Sequence, residues 1–217
     1  MTTSTMAHDE VVPFSRQLWE STASAHGSAE TSTNMAKLVK GELSRDAFIA
    51  MQRQLYFLYQ TLEQEMAANL DDPIIKAFHD ERLDRTAALS ADLLALTGEI
   101  PDADEIDPVT AKFCELIRST AKEWAPALIA HHYTLYLGDL SGGQQIRGVV
   151  EGAYGIGKES GTAFFYFDEL GDLAEFKNQY RSALDEIGFD ADQRKRFIEE
   201  VHASYALSSA LVAELEL

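Results

Sequence analysis

A single cysteine, Cys114, excludes an intramolecular disulfide framework and a cysteine-rich zinc site, and is compatible with a reducing cytoplasm. Basic residues are also scarce. With 18 Lys plus Arg against 36 Asp plus Glu, the net charge is -18, and the sign of that field argues against nucleic acid or an anionic membrane as partner. Long hydrophobic runs are missing. The opening MTTSTMAHDEVV lacks the basic start and apolar stretch of a signal peptide, so 1–12 is expected to be a flexible tail. The closing SYALSSALVAELEL is broken by Ser and Glu and falls far short of the roughly 20 apolar residues of a membrane anchor. Strand-like alternation appears nowhere over a useful length. These absences leave a soluble, all-α protein, and 217 residues at 46% hydrophobic content fit one domain, 13–217, around a sizeable core.

Apolar residues recur at helical spacing almost throughout, which predicts helices over 14–27, 30–40, 44–68, 73–97, 107–121, 124–150, 171–187 and 190–213. Ser44 to Asp46 can cap the third helix and Asp72-Pro73 can start the fourth. TGEIPDADEIDP reads as a connection, and GIGKESGTAF as a second, glycine-rich and mobile one. On the long third helix Phe48, Leu55, Leu58, Tyr59 and Leu62 share one broad side, with Gln52, Arg53, Gln60, Glu63 and Gln64 mainly elsewhere. A helix bundle follows.

Three sets of residues could carry chemistry. In HHYTLYLGDLSGGQQIRGVV, Gly138, Gly142 and Gly143 interrupt an otherwise apolar helix, each at about 1 kcal/mol against alanine. Their spacing strips one face of Cβ atoms, which suits either close helix packing or a flat ligand. In the first helix His26 has Glu30 one turn later, the spacing at which a carboxylate orients an imidazole whose other nitrogen faces a metal. A lone histidine at a helix end is more often a capping or surface residue. His131 and His132, about 100° apart around a helix, cannot both face one ligand. Lys177 and Arg181 lie one turn apart, and such a pair can hold carboxylates, although in so acidic a chain each would ordinarily meet a neighbouring acid.

These residues carry a family resemblance. HHYTLYLGDLSGGQQI resembles the distal-helix signature of the biliverdin-producing haem oxygenases, soluble bacterial members above all. STASAHGSAETS, YFLYQTLEQEM and FKNQYRSAL fall in family order along nearly the whole chain. The resemblance implies an all-α bundle holding haem b, at once cofactor and substrate, between a proximal first helix and a kinked glycine-rich distal helix. It implies oxidative cleavage of haem to biliverdin with release of ferrous iron and carbon monoxide, using O2 and electrons from a reductase or ferredoxin-type partner. It makes His26 the axial ligand and Glu30 its hydrogen-bond partner, with Gly138, Gly142 and Gly143 the backbone ceiling over the haem. Asp139 would be the distal carboxylate that orders water, and Tyr59 a tyrosine of the same network. Tyr133, Lys177 and Arg181 would meet the propionates. A monomer is expected.

Two positions depart from the family pattern. Leu135 stands where an arginine is usual, and Trp19 where a lysine is typical of the propionate edge. Two other uses of the bundle stay open: a di-iron oxidase, for which only Glu199 to His202 shows the Glu-x-x-His spacing, and a non-catalytic haem-binding protein. Thiolate ligation through Cys114 is disfavoured, because no basic group adjoins it.

Overall fold

A computed structural model describes residues 12–30 and 33–213, and within that range the side chains of residues 25, 26, 28–30 and 33 lie outside the description. All but the end of the expected 1–12 tail therefore also falls outside it. The helices are α1 (Phe14–Glu30), α2 (Thr33–Lys40), α3 (Arg45–Ala68), α4 (Pro73–Phe78), α5 (Thr86–Thr97), α6 (Pro108–Trp124), α7 (Leu128–Gly138), α8 (Gln144–Tyr154), α9 (Leu173–Asp185) and α10 (Ala191–Ala213). No strand occurs among the described residues.

Short polar side chains start these helices by capturing N–H groups that a first turn leaves free. Ser44 Oγ accepts from Ala47 N at 3.1 Å, Asp72 accepts from Ile74 N at 2.8 Å ahead of Pro73, and Asp107 accepts from Thr110 N at 2.7 Å ahead of Pro108. Asp172 caps α9 in the same way. The third helix is central, packing on α5 and α6, while α10 packs on both α1 and α7. Phe48, Leu58, Tyr59 and Leu62 are buried as their spacing requires, and Leu55 is half-buried. Gln52 departs from expectation and is fully buried. Gln54 is buried as well, bridging Glu105 O and Asp107 N at 3.1 and 3.0 Å, so α3 is wrapped on more sides than its apolar stripe indicates.

Two predicted helices are broken. The expected 73–97 helix ends at Phe78 and resumes at Thr86. Between them Asp80 closes a tight turn on Arg82 N at 3.1 Å, and Glu63 of α3 takes the Arg85 and Thr86 N–H groups at 2.5 and 3.1 Å. Carboxylates thus outcompete the helix for its own donors. The expected 124–150 helix is interrupted at Ala125–Ala127, where Pro126 brings no N–H, and again at Asp139–Gly143, a π-helical turn.

The connection expected to be mobile is tied down. Asp92 of α5 accepts from Ala163 N at 2.7 Å and Phe164 N at 2.8 Å, and Arg85 donates to Phe164 O and Tyr166 O at 3.3 and 2.6 Å. Residues Thr162–Phe167 thus form a strap whose phenylalanines point into the core. The strap enters through Gly161, whose φ of +132° suits glycine and on which a Cβ would stand 2.6 Å from Leu96 Cδ2. Gly161→Ala should lower the unfolding free energy by about 1–3 kcal/mol, read as a fall in denaturation midpoint at unchanged slope.

Candidate active site at the distal turn

Three glycines surround the π turn, and two ordinary reasons for glycine fail there. Positive φ occurs at Gly41, Gly98, Gly155, Gly161, Gly171 and Gly188, so none of Gly138, Gly142 and Gly143 is needed for left-handed backbone. Close packing fails at two of them as well. A Cβ on Gly138 or Gly142 would meet nothing within 4 Å, and both residues are exposed. Open space beside bare backbone is the shape a flat ligand requires. Gly143 differs: it is buried, and its Cβ would touch Asp139 Cβ at 3.6 Å and Phe165 Cδ1 at 3.8 Å. The three therefore do not share one equivalent face.

Asp139 and Tyr59 meet. The Tyr59 hydroxyl, carried by α3, donates to Asp139 Oδ2 in a close hydrogen bond. Burial pushes the Asp139 carboxyl up to about 7, against the opposing pull of the Tyr59 hydrogen bond and the Arg85 charge. Burial, then the Asp139 charge, pushes the Tyr59 phenol well above its ordinary range, so the phenol keeps its proton. Tyr136 packs edge-on to Tyr59 at 5.3 Å between centroids and donates to Glu63 Oε1 at 3.3 Å. Phe164 of the strap closes on Tyr59 at 5.4 Å.

Gln144, the first residue of α8, joins the turn to the strap. Its amide donates to Asp139 O at 3.2 Å and to Phe165 O at 2.9 Å. A π turn disturbs the regular carbonyl ladder, and this side chain supplies one missing donor. On the other side Lys177 donates to Leu140 O and Ser141 Oγ, each at 3.1 Å, rather than to an acid. Arg181 donates to Asn178 Oδ1 at 3.1 Å, and its charge acts on the half-buried Tyr133 phenol. Lys177 thus touches the distal turn directly, while Arg181 is near Tyr133 of α7.

The His26 backbone lies in α1, whereas the side chains of His26 and Glu30 lie outside the described residues. Trp19 on the same helix is 65% exposed, and Leu135 is buried core. His131 and His132 point apart, toward Thr120 Oγ1 at 3.4 Å and Tyr180 Oη at 2.9 Å, and burial lowers them to about 4 and about 3. Cys114 is buried, with its thiol pushed up by burial. Among the described residues no three His, Cys, Asp or Glu side chains gather as a metal site, so the Glu199 to His202 spacing finds no companions there.

Sequence reasoning missed Arg85, Glu63, Asp92, Tyr136 and Gln144. Gln144 could have been found, since an amide directly after two glycines is placed to mend a disturbed helix. Arg85, Glu63 and Asp92 act from elements distant in sequence and leave no local pattern, whereas Tyr136 lies on α7 just before the turn.

Because the folded Asp139 carboxyl titrates above its unfolded value, its protonated form favours the folded state. Its contribution is present below about pH 4 and is lost as pH rises to about 7. The difference in unfolding free energy between the wild type and Asp139→Asn should therefore fall over that window. Denaturant titrations at a series of pH values would measure it, and a flat difference would contradict the raised carboxyl.

A family model described as Heme oxygenase matches residues 12–214. A heme oxygenase of Porphyra purpurea is 34% identical over 208 residues, covering 94% of this chain and 87% of its own length. Heme oxygenase 1 of Homo sapiens is 33% identical over 94% of this chain and 72% of its own. Among solved structures, heme oxygenase-1 of Synechocystis in complex with heme superposes with a TM-score of 0.88 at 31% identity, covering 94% of this chain and 93% of that one. The heme oxygenase of Leptospira interrogans gives 0.89 at 28% identity, over 94% and 100%. By matched length, identity and fold, this chain belongs to the heme oxygenase family.

Proposed function

We propose that this chain opens haem oxidatively to biliverdin, releasing ferrous iron and carbon monoxide, and that the distal turn directs the reaction. The observation that carries this reading is bare, outward-facing backbone at Gly138 and Gly142 with the Asp139 carboxyl between them. Haem, at once substrate and cofactor, supplies the iron that binds and activates oxygen and the ring that is opened.

The chain contributes orientation and protons. His26 on α1 would hold the haem iron, and Glu30, one turn later in the sequence, would orient its ring. Gly138 and Gly142 leave the open space in which a flat ligand can approach the backbone. Asp139, with a carboxyl near 7, exists in both protonation states at neutral pH, so it can order water and pass a proton in either direction. Tyr59 keeps its own proton and holds the Asp139 carboxyl in one orientation. Lys177 and Arg181 offer charge-assisted hydrogen bonds to the propionates, and Tyr133 borders them. The electrons come from a reductase or ferredoxin-type donor. The catalytic unit is a monomer of one domain, 13–217, working in the cytoplasm, and the lone, buried cysteine is compatible with that reducing compartment. Among the described residues no helix is long and apolar enough to cross a membrane.

Single-turnover absorption spectra test this reading. Asp139→Ala should fold and bind haem yet form little biliverdin, whereas His26→Ala should fold and lose the histidine-type ferrous spectrum. Biliverdin from Asp139→Ala at the wild-type rate would leave the carboxyl only a structural support. The edge assignment is tested separately by reversing Lys177 and Arg181 to Glu, with each lost charge-assisted bond worth about 1.5–3 kcal/mol. Haem should then dissociate at least tenfold faster and the biliverdin isomers should become mixed, and an unchanged dissociation rate with an unchanged isomer pattern would remove the pair from the edge.

A further inference from the structure

Arg85 is a buried cation behind the distal turn whose hydrogen bonds all go to backbone carbonyls. It is 7% exposed, between the Asp84 turn and α5. Four of the five N–H bonds of a guanidinium are spent on carbonyls: Nε on Leu83 O at 2.7 Å, Nη1 on Phe164 O at 3.3 Å and Tyr166 O at 2.6 Å, and Nη2 on Arg82 O at 3.0 Å. Its face lies 3.9 Å from the centre of the Phe167 ring. No carboxylate of the described residues forms an ion pair with it. A guanidinium cannot shed its proton, so this is a fixed buried charge with carbonyl dipoles around it but no bonded counter-ion.

Such a charge is costly unless anions lie within electrostatic reach. The carboxylates whose charge acts on it are Asp139 and Glu63 of the distal site, and its own charge acts in turn on Asp84 and Asp92. The geometry makes the connection physical. Arg85 holds the carbonyls of Phe164 and Tyr166, the Phe164 ring packs on Tyr59, and Tyr59 bonds Asp139. Its backbone N–H also holds Glu63, which receives Tyr136. Leu135, on the helix that leads into the turn, brings no charge.

We propose that Arg85 is a positioning residue for the Tyr59–Asp139 pair, fixing the strap that backs the pair and setting a buried positive charge behind it. The inference rests on Asp139 being the proton-handling group of the site. The other titratable groups around the pair are Tyr136 of α7, which packs on Tyr59, Glu63 of α3, which receives the Tyr136 hydroxyl, and Asp84 just before α5, whose charge acts on Tyr136. Lys177 of α9 is bonded to Leu140 O and Ser141 Oγ of the turn. Arg85 is the cation whose charge bears on Asp139, against the effect of burial.

The test separates charge from support. Arg85→Gln keeps N–H donors for the strap but removes the charge, and Arg85→Lys keeps the charge but loses the planar fork. The Asp139 carboxyl is titrated by carbon-13 NMR in haem-free protein, with Asp139→Asn used for assignment. Arg85→Gln should raise the Asp139 midpoint by about one unit or more, while Arg85→Lys should stay near the wild-type midpoint. The pH profile of biliverdin formation should move with the midpoint. An unmoved midpoint in Arg85→Gln, or equal shifts in both variants, would overturn the electrostatic role. Should Arg85→Gln fail to fold, a raised midpoint in Arg85→Lys would overturn it equally. Normal turnover by Asp139→Ala would sink the proton-handling reading instead, and the titration result would stand apart from it.

Discussion

Asp139 can bring a carboxyl into the body of the molecule because Tyr59 meets it there. A hydrogen bond to a charged group is worth about 1.5–3 kcal/mol, and without it burial would favour a neutral acid or a different rotamer. Much of the fold serves that meeting. Tyr59 must arrive from α3 at one angle, and a slip of one residue would turn it through about 100°. Ser44 fixes where α3 begins, and the buried Phe48, Leu58 and Leu62 fix which side faces inward. On the other partner the π turn displaces residues 139–143 from the regular helical path.

A widened turn exposes carbonyls that a regular helix would satisfy, so its shape must be held from outside. Gln144 and Lys177 do this from opposite sides, one inside the molecule and one at its edge. Gln144 also binds the strap, and the strap is in turn held by Asp92 and Arg85 of the α5 region. The break between α4 and α5 now has a purpose. Had 73–97 been one helix, the Arg85 N–H would have gone to its own ladder and Glu63 would have had no such anchor. Local helix propensity has yielded to a polar network whose members are satisfied together, the condition under which buried polar groups are tolerable.

Much of this was legible in the residues and some was not, for physical reasons. Helices were legible because one face is apolar at a period of 3.6, and their starts because Ser44, Asp72 and Asp107 are short acceptors placed just before them. The breaks at Asp80 and Pro126 escaped because the apolar period continues through them. The glycines signalled close approach, but a row of letters does not say whether the approaching body is a helix or a ligand. Among the described residues nothing packs within 4 Å of a Cβ at Gly138 or Gly142, so close helix packing does not explain those two. Tyr59 and Asp139 were individually visible through the family resemblance. Arg85 and Asp92 were not, since their significance comes from contacts with residues some 70 to 80 positions away.

The net charge of -18 appears at odds with a substrate that carries two carboxylates, and distance resolves the conflict. At physiological salt the Debye length is about 8 Å, so acids spread over the surface are largely screened at the site. Lys177 and Arg181, in the proposed role, would act at contact range, where screening by salt is weak. Beneath the turn, burial weakens solvent screening further. There burial raises the Asp139 carboxyl and the Tyr59 and Tyr136 phenols while the Arg85 charge opposes it, so local surroundings, rather than the charge of the whole chain, decide which of them keeps a proton.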